Sequence, residues 1–140
     1  MIGLKLDHIS YAVRSSDKAI KVFNLFYSKV NIYKHLEKTQ NVFITYLSSD
    51  SVNHRIELVE PAGSPNPVGN MLKTMPSVLY HVCYRVEDLL EAVERLKENG
   101  FYMVTEPFET SIEKGIWASH FFNQHWGLIE IMGAKLPPKI

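Results

Sequence analysis

Leu6-Asp7-His8-Ile9-Ser10-Tyr11-Ala12-Val13 has a second copy in Tyr80-His81-Val82-Cys83-Tyr84-Arg85-Val86. His, Tyr and Val recur at one spacing (81 − 8 = 84 − 11 = 86 − 13 = 73). Each copy runs into a helical pattern, Ala19-Ile20 with Phe23 in the first and Ala92-Val93 with Leu96 in the second. The same offset carries Ile56-Glu57-Leu58 onto Ile129-Glu130-Ile131 (130 − 57 = 73). One His and one Glu therefore occupy matching places in two halves of the chain. A repeat of this length is a supersecondary unit used twice.

Residues about 4–13 read as a buried strand, with Ile9, Tyr11 and Val13 on one face and His8, Ser10 and Ala12 on the other. Ser15 or Ser16 caps a helix over about 17–27, whose stripe is Ala19, Ile20, Phe23 and Phe26-Tyr27. Strand-like runs follow at Val30 to Lys34, Val42 to Leu47 and Arg55 to Val59, separated by segments of turn composition. The first half is β-α-β-β-β. Residues 61–77, rich in Pro and Gly, read as a connector with a short helix at Val68 to Lys73. The order then repeats, with a strand over about 79–86 and a helix over about 88–98 that starts at Asp88 and ends at Gly100. Strands at Tyr102 to Thr105, Ile116 to Phe122 and Leu128 to Met132 complete it, and the tail from Lys135 reads as loose. The expected organisation is one α+β domain of two pseudo-symmetric modules, about 4–60 and 78–133, with eight strands.

The composition fits this. At 140 residues and 46% hydrophobic content the chain can fill a core. A formal net charge of zero gives no electrostatic reason to expect nucleic acid or an anionic membrane as partner. No apolar run approaches the roughly 18 residues of a membrane span. The only cysteine, Cys83, rules out an internal disulfide and, with no basic-then-apolar leader, points to the cytoplasm.

Strand parity sets His8, Glu57, His81 and Glu130 on faces opposite the apolar residues that pack on the helices. A carboxylate on an apolar strand is costly to bury unless it is paired or binds a metal. Two equivalent carboxylates repel unless a cation lies between them. Two imidazoles and two carboxylates suit one divalent ion: nickel, cobalt, zinc, iron or manganese.

The stretches LDHISYAV, RIELVEP, YHVCYRVEDLLEAVERLKENG and GLIEIM resemble the vicinal oxygen chelate superfamily over about residues 5–133, in particular glyoxalase I-like proteins and methylmalonyl-CoA epimerases. The resemblance implies paired βαβββ modules that form a cupped, partly open mixed sheet around a metal. It implies His8, Glu57, His81 and Glu130 as the ligands, a set that matches bacterial glyoxalase I. It also implies homodimers and a small-molecule substrate: a 2-oxo compound, a hemithioacetal or an acyl thioester. The chemistry it implies is proton removal next to a carbonyl through a metal-stabilised enolate or enediolate, with Glu130 as base and Glu57 as its pseudo-symmetric partner. A glyoxalase I-like lyase is the first reading. An epimerase of an acyl thioester is the alternative, and a metal-free antibiotic-binding protein of the same fold is the second alternative. The stretches in the places of an epimerase's loop and His-Pro turn, Thr110 to Gly115 and Phe122 to Gly127, depart from that pattern. Three-ligand superfamily enzymes are disfavoured by Glu57.

Other residues are read more plainly. Ser10 and Cys83 line part of a cavity. His120 and His125 could offer hydrogen bonds to the metal's ligands but are read first as surface positions on a strand end and a turn, and His35 and His54 as surface. Tyr46, Trp117, Phe121, Phe122 and Trp126 are pocket or core aromatics. The loop Glu106 to Lys114 is positioned as a lid, and Ser64 and Lys73 belong to a solvated connector.

Overall fold

A computed structural model describes residues 2–27 and 30–136. Its elements in chain order are β1 (Lys5–Val13), α1 (Ser16–Phe23), β2 (Asn31–Glu37), β3 (Val42–Ser48), β4 (Arg55–Pro61), a 3-10 turn (Met71–Lys73), β5 (Ser77–Asp88), α2 (Leu89–Glu98), β6 (Tyr102–Met103), β7 (Phe108–Glu109), β8 (Ile116–Asn123) and β9 (Gly127–Ala134). The described residues fall into two compact units. One is His8–Tyr80; the other joins the residues up to Asp7 to those from His81 onward.

Within His8–Tyr80 the strand order is β2-β3-β4-β1. β1 and β4 run parallel, and the pairs β2/β3 and β3/β4 run antiparallel. The expected alternation decides what each face meets. Val13, Ile56 and Leu58 form a core with Ile9, Tyr11, Ala19, Ile20 and Phe23, so this face is covered by α1. The Ser15 hydroxyl caps α1 by accepting from the Lys18 N–H. The helix stops at Phe23, earlier than its apolar stripe suggests. Leu25 and Phe26 donate to carbonyls three residues back, which tightens the last turn and leaves both side chains exposed. Tyr27 then rejoins the core. The helix expected from Val68 reduces to the turn at Met71–Lys73.

In the second unit the order is β5-β9-β8-β6, with β7 also on β8. β5 and β9 are parallel, while β8 is antiparallel to β9, β6 and β7. Leu89, Ala92, Val93 and Leu96 of α2 bury against Val86, Phe121, Ile129 and Ile131. Gly100, at φ 81°, follows the helix as its left-handed terminator. The Asp88 carboxylate accepts from the Leu90 and Glu91 N–H groups and caps α2. Asp88→Ala should lower stability by about 1 kcal/mol while Asp88→Asn costs much less, as read by urea denaturation midpoints. Equal losses in the two variants would show that the cap is not what Asp88 contributes.

The described residues hold nine strands where the sequence reading expects eight. The strand expected over Tyr102 to Thr105 pairs only at Tyr102 and Met103, and a second short strand regains the β8 edge at Phe108 and Glu109. Pro107, which has no N–H to donate, stands between the two pieces. The tail expected to be loose lies, from Pro137 onward, outside the described residues. No helix among the described residues is long and apolar enough to cross a membrane.

Candidate active site

Each glutamate sits on a central strand between two neighbours. Glu57 on β4 is flanked by Ser10 on parallel β1 and Tyr46 on antiparallel β3. Glu130 on β9 is flanked by Cys83 on parallel β5 and His120 on antiparallel β8. The two environments are related by the repeat, yet different chemistry fills them.

In the first unit Glu57 is 4% exposed and His8 fully buried. The Ser10 hydroxyl donates to Glu57 Oε1 at 2.7 Å, and the Tyr46 hydroxyl donates to Oε2 at 2.7 Å. His8 Nε2 lies 3.5 Å from Oε2, with its ring edge-on to Tyr46. Both carboxylate oxygens thus have donors, which offsets part of the cost of burying the charge. The Arg55 guanidinium stacks over the Tyr46 ring, 4.2 Å from its centre. His35 lies near parallel to Tyr46, and burial lowers its pKa from the ordinary value.

The second unit buries Glu130 beside two imidazoles. His120 Nε2 is 2.8 Å and His81 Nε2 4.0 Å from Glu130 Oε2, and the two rings meet edge to face. All three residues are buried. On its far nitrogen, Nδ1, His120 meets the Thr105 hydroxyl at 3.0 Å, and its own backbone N–H donates to the same hydroxyl oxygen. Phe108 stacks on the His120 ring.

The structure therefore brings His8 to Glu57 and His81 to Glu130, each pair inside one unit. It corrects the sequence reading of His120. This residue is not at a surface strand end: β8 is an inner strand, and Val104, Thr105 and Phe108 from the β6–β7 segment cover it. Ser10 does more than line a cavity, since it bonds the Glu57 carboxylate. Cys83 is buried against Ala118 and Met132. Of the five aromatics considered, Tyr46 meets a candidate ligand. Phe121 is core, Trp117 packs at the edge of that core, and Phe122 and Trp126 are exposed. His125 is exposed and His54 half-buried. Ser64 and Lys73 are exposed, in keeping with a solvated connector.

The Glu106 to Lys114 loop is tied down. Glu113 forms a two-point pair with Arg85 at 2.9 and 3.0 Å, and Arg85 also donates to Asp7. Bonding to the two carboxylates raises the Arg85 pKa further, so it stays charged. Arg85 shares the strand face of His81 and Cys83, a signal present in the sequence as parity.

The donor chemistry fits a divalent metal. The oxygens and imidazole nitrogens are buried, no thiolate is among them, and one donor atom each from His81, His120 and Glu130 lies within 4.8 Å of the others. An ion about 2.1 Å from each ligand spaces its donors roughly 3 to 4.2 Å apart, the scale seen here.

Comparison with known proteins identifies the family. The chain is 33% identical over 102 residues to an ethylmalonyl-CoA/methylmalonyl-CoA epimerase of Cereibacter sphaeroides, covering 71% of this chain and 73% of that one. It is 30% identical over 98 residues to a mitochondrial methylmalonyl-CoA epimerase of Dictyostelium discoideum, 57% of whose length it spans. A hypothetical protein from Bacillus halodurans matches with a TM-score of 0.79 at 23% identity, with 99% of both chains covered. A methylmalonyl-CoA epimerase from Mycobacterium tuberculosis matches with a TM-score of 0.79 at 19% identity, over 94% of this chain and 88% of that one. At these identities the two structures speak for the fold alone. The family model described as Glyoxalase/Bleomycin resistance protein/Dioxygenase superfamily matches residues 7–118. With this match over most of its length and these relatives, the chain belongs to that superfamily, the vicinal oxygen chelate proteins.

Proposed function

We propose that this protein is an epimerase of a 2-substituted acyl-CoA thioester. The observation that carries the reading is the 33% identity to an ethylmalonyl-CoA/methylmalonyl-CoA epimerase, joined to a buried glutamate in each unit. It reverses the order of the two enzyme readings suggested by the sequence, since the relatives are epimerases rather than glyoxalases. The antibiotic-binder reading loses ground for the same reason.

Inversion at a carbon next to a thioester carbonyl needs one group to take the proton and another to deliver one to the opposite face. Glu130 is proposed as the base, and Glu57 as the group that returns the proton. Ser10 and Tyr46 fix both oxygens of Glu57, so it is held in one orientation before substrate arrives. His120 meets one oxygen of Glu130, Oε2. His8, Glu57, His81 and Glu130 are proposed to hold one divalent ion, as the repeat and the family resemblance imply. When bound, such an ion polarises the carbonyl and stabilises the negative charge that develops on it.

The test is deuterium wash-in at the carbon next to the carbonyl. Methylmalonyl-CoA should exchange and epimerise with protein reconstituted with cobalt, nickel, zinc or manganese, while the glutathione–methylglyoxal hemithioacetal should not turn over. Metal analysis should find about one ion per chain. Turnover of the hemithioacetal alone would restore the glyoxalase reading, and protein that takes up none of the four metals would sink the metal-dependent one.

A further inference from the structure

We propose that His120 is a direct ligand of the metal, so that the second unit supplies a three-donor face of His81, His120 and Glu130. This rests on the metal-dependent reading above and adds to it a residue outside the repeated pairs.

The argument begins with Thr105. Its hydroxyl oxygen accepts the His120 backbone N–H at 2.9 Å and lies 3.0 Å from the ring Nδ1 of the same residue. Those two contacts, with Phe108 stacked on the ring, fix the direction of the imidazole. They leave Nε2 aimed at the Glu130 carboxylate, 2.8 Å away. A ring held through Nδ1 by an oxygen and presenting Nε2 to its target is the arrangement that ligating histidines need. His81 Nε2 stands on the same carboxylate, and the three donor atoms lie within 4.8 Å of one another. Two imidazoles and one carboxylate on one face suit manganese, iron, cobalt or nickel and leave coordination positions open.

A hydroxyl can donate to a bare Nδ1 or accept from an Nδ1–H, so the same contact suits either tautomer of the ring.

The repeat explains why this donor has no twin. Tyr46 stands opposite Glu57 as His120 stands opposite Glu130, but the offset between them is 74 (120 − 46) rather than 73. The first unit thus offers its glutamate a phenol, a hydrogen-bond donor, where the second offers an imidazole.

The experiment is titration of metal-free protein with Co²⁺, followed by proton NMR of the hyperfine-shifted imidazole N–H signals. Each histidine bound through Nε2 keeps one exchangeable Nδ1–H. His120→Gln should remove one such signal and weaken Co²⁺ binding at least roughly tenfold. Thr105→Val, which leaves all three donors in place, should shift that same signal and spare the others; this arm stands even where His120→Gln folds poorly by circular dichroism. An unchanged set of shifted N–H signals in folded His120→Gln, or no signal moved by Thr105→Val, overturns the proposal while leaving the metal reading intact. A wild-type protein that takes up no Co²⁺ overturns both.

Discussion

Glu130→Gln should slow deuterium wash-in into methylmalonyl-CoA by roughly 10²–10⁴-fold, the usual contribution of a positioned general base. The substitution keeps the size of the side chain and an oxygen in the place of the native carboxylate, which stands 2.8 Å from His120 Nε2. It removes the capacity to hold a proton. Stability should change little, because a buried charge is exchanged for a neutral amide among the same neighbours. Glu57→Gln should behave differently. The isomer whose proton Glu130 takes should still exchange with solvent, while net inversion stalls, because the second proton carrier is missing. Measuring wash-in and inversion separately for each isomer separates the two roles. Exchange by Glu130→Gln within about threefold of wild type would remove Glu130 as the base. Unimpaired inversion by Glu57→Gln would mean that another group returns the proton.

The site was legible in the sequence to the extent that it obeyed the repeat. His8, Glu57, His81 and Glu130 stand out because one offset joins them, and strand parity gave their faces without any structure. His120 was hidden for two reasons. Its counterpart across the repeat is Tyr46, one residue out of step and chemically unlike, so no offset flags it. Its burial also depends on the β6–β7 segment, whose path is set by Pro107 and by the Thr105 hydroxyl reaching His120. Periodicity carries no record of such contacts. The fold was more visible. The alternating faces of β1, β4 and β9 set which residues meet the helices, and those faces are written into the chain at period two. What periodicity overstated was α1, where Phe26 continues the apolar stripe but the backbone has already tightened and turned away.

Gly133→Ala should cost about 3 kcal/mol of stability, the high end of what overpacking usually causes. Gly133 on β9 pairs with Val86 on β5, just before the register between those parallel strands slips by a bulge. A Cβ built there would lie 2.5 Å from the Val86 carbonyl oxygen and 3.0 Å from its Cγ2. The first of these neighbours is backbone, so no rotamer change relieves the clash and the strands must move apart. The glycine is required for close approach. Gly127, at the start of the same strand, is required for another reason: its φ is 95° and nothing lies within 4 Å of a Cβ placed on it. Gly127→Ala should therefore cost only the backbone strain, about 1–2 kcal/mol. The two variants also differ in what they reach. β9 carries Glu130 three residues before Gly133, and β5 carries His81 five residues before Val86, so strands forced apart at this point shift the Glu130 carboxylate relative to the His81 imidazole. Gly133→Ala should lower both the unfolding midpoint in urea and the affinity for Co²⁺, while Gly127→Ala lowers the midpoint alone. Equal stability losses in the two variants would show that β5 and β9 part at Val86 without strain.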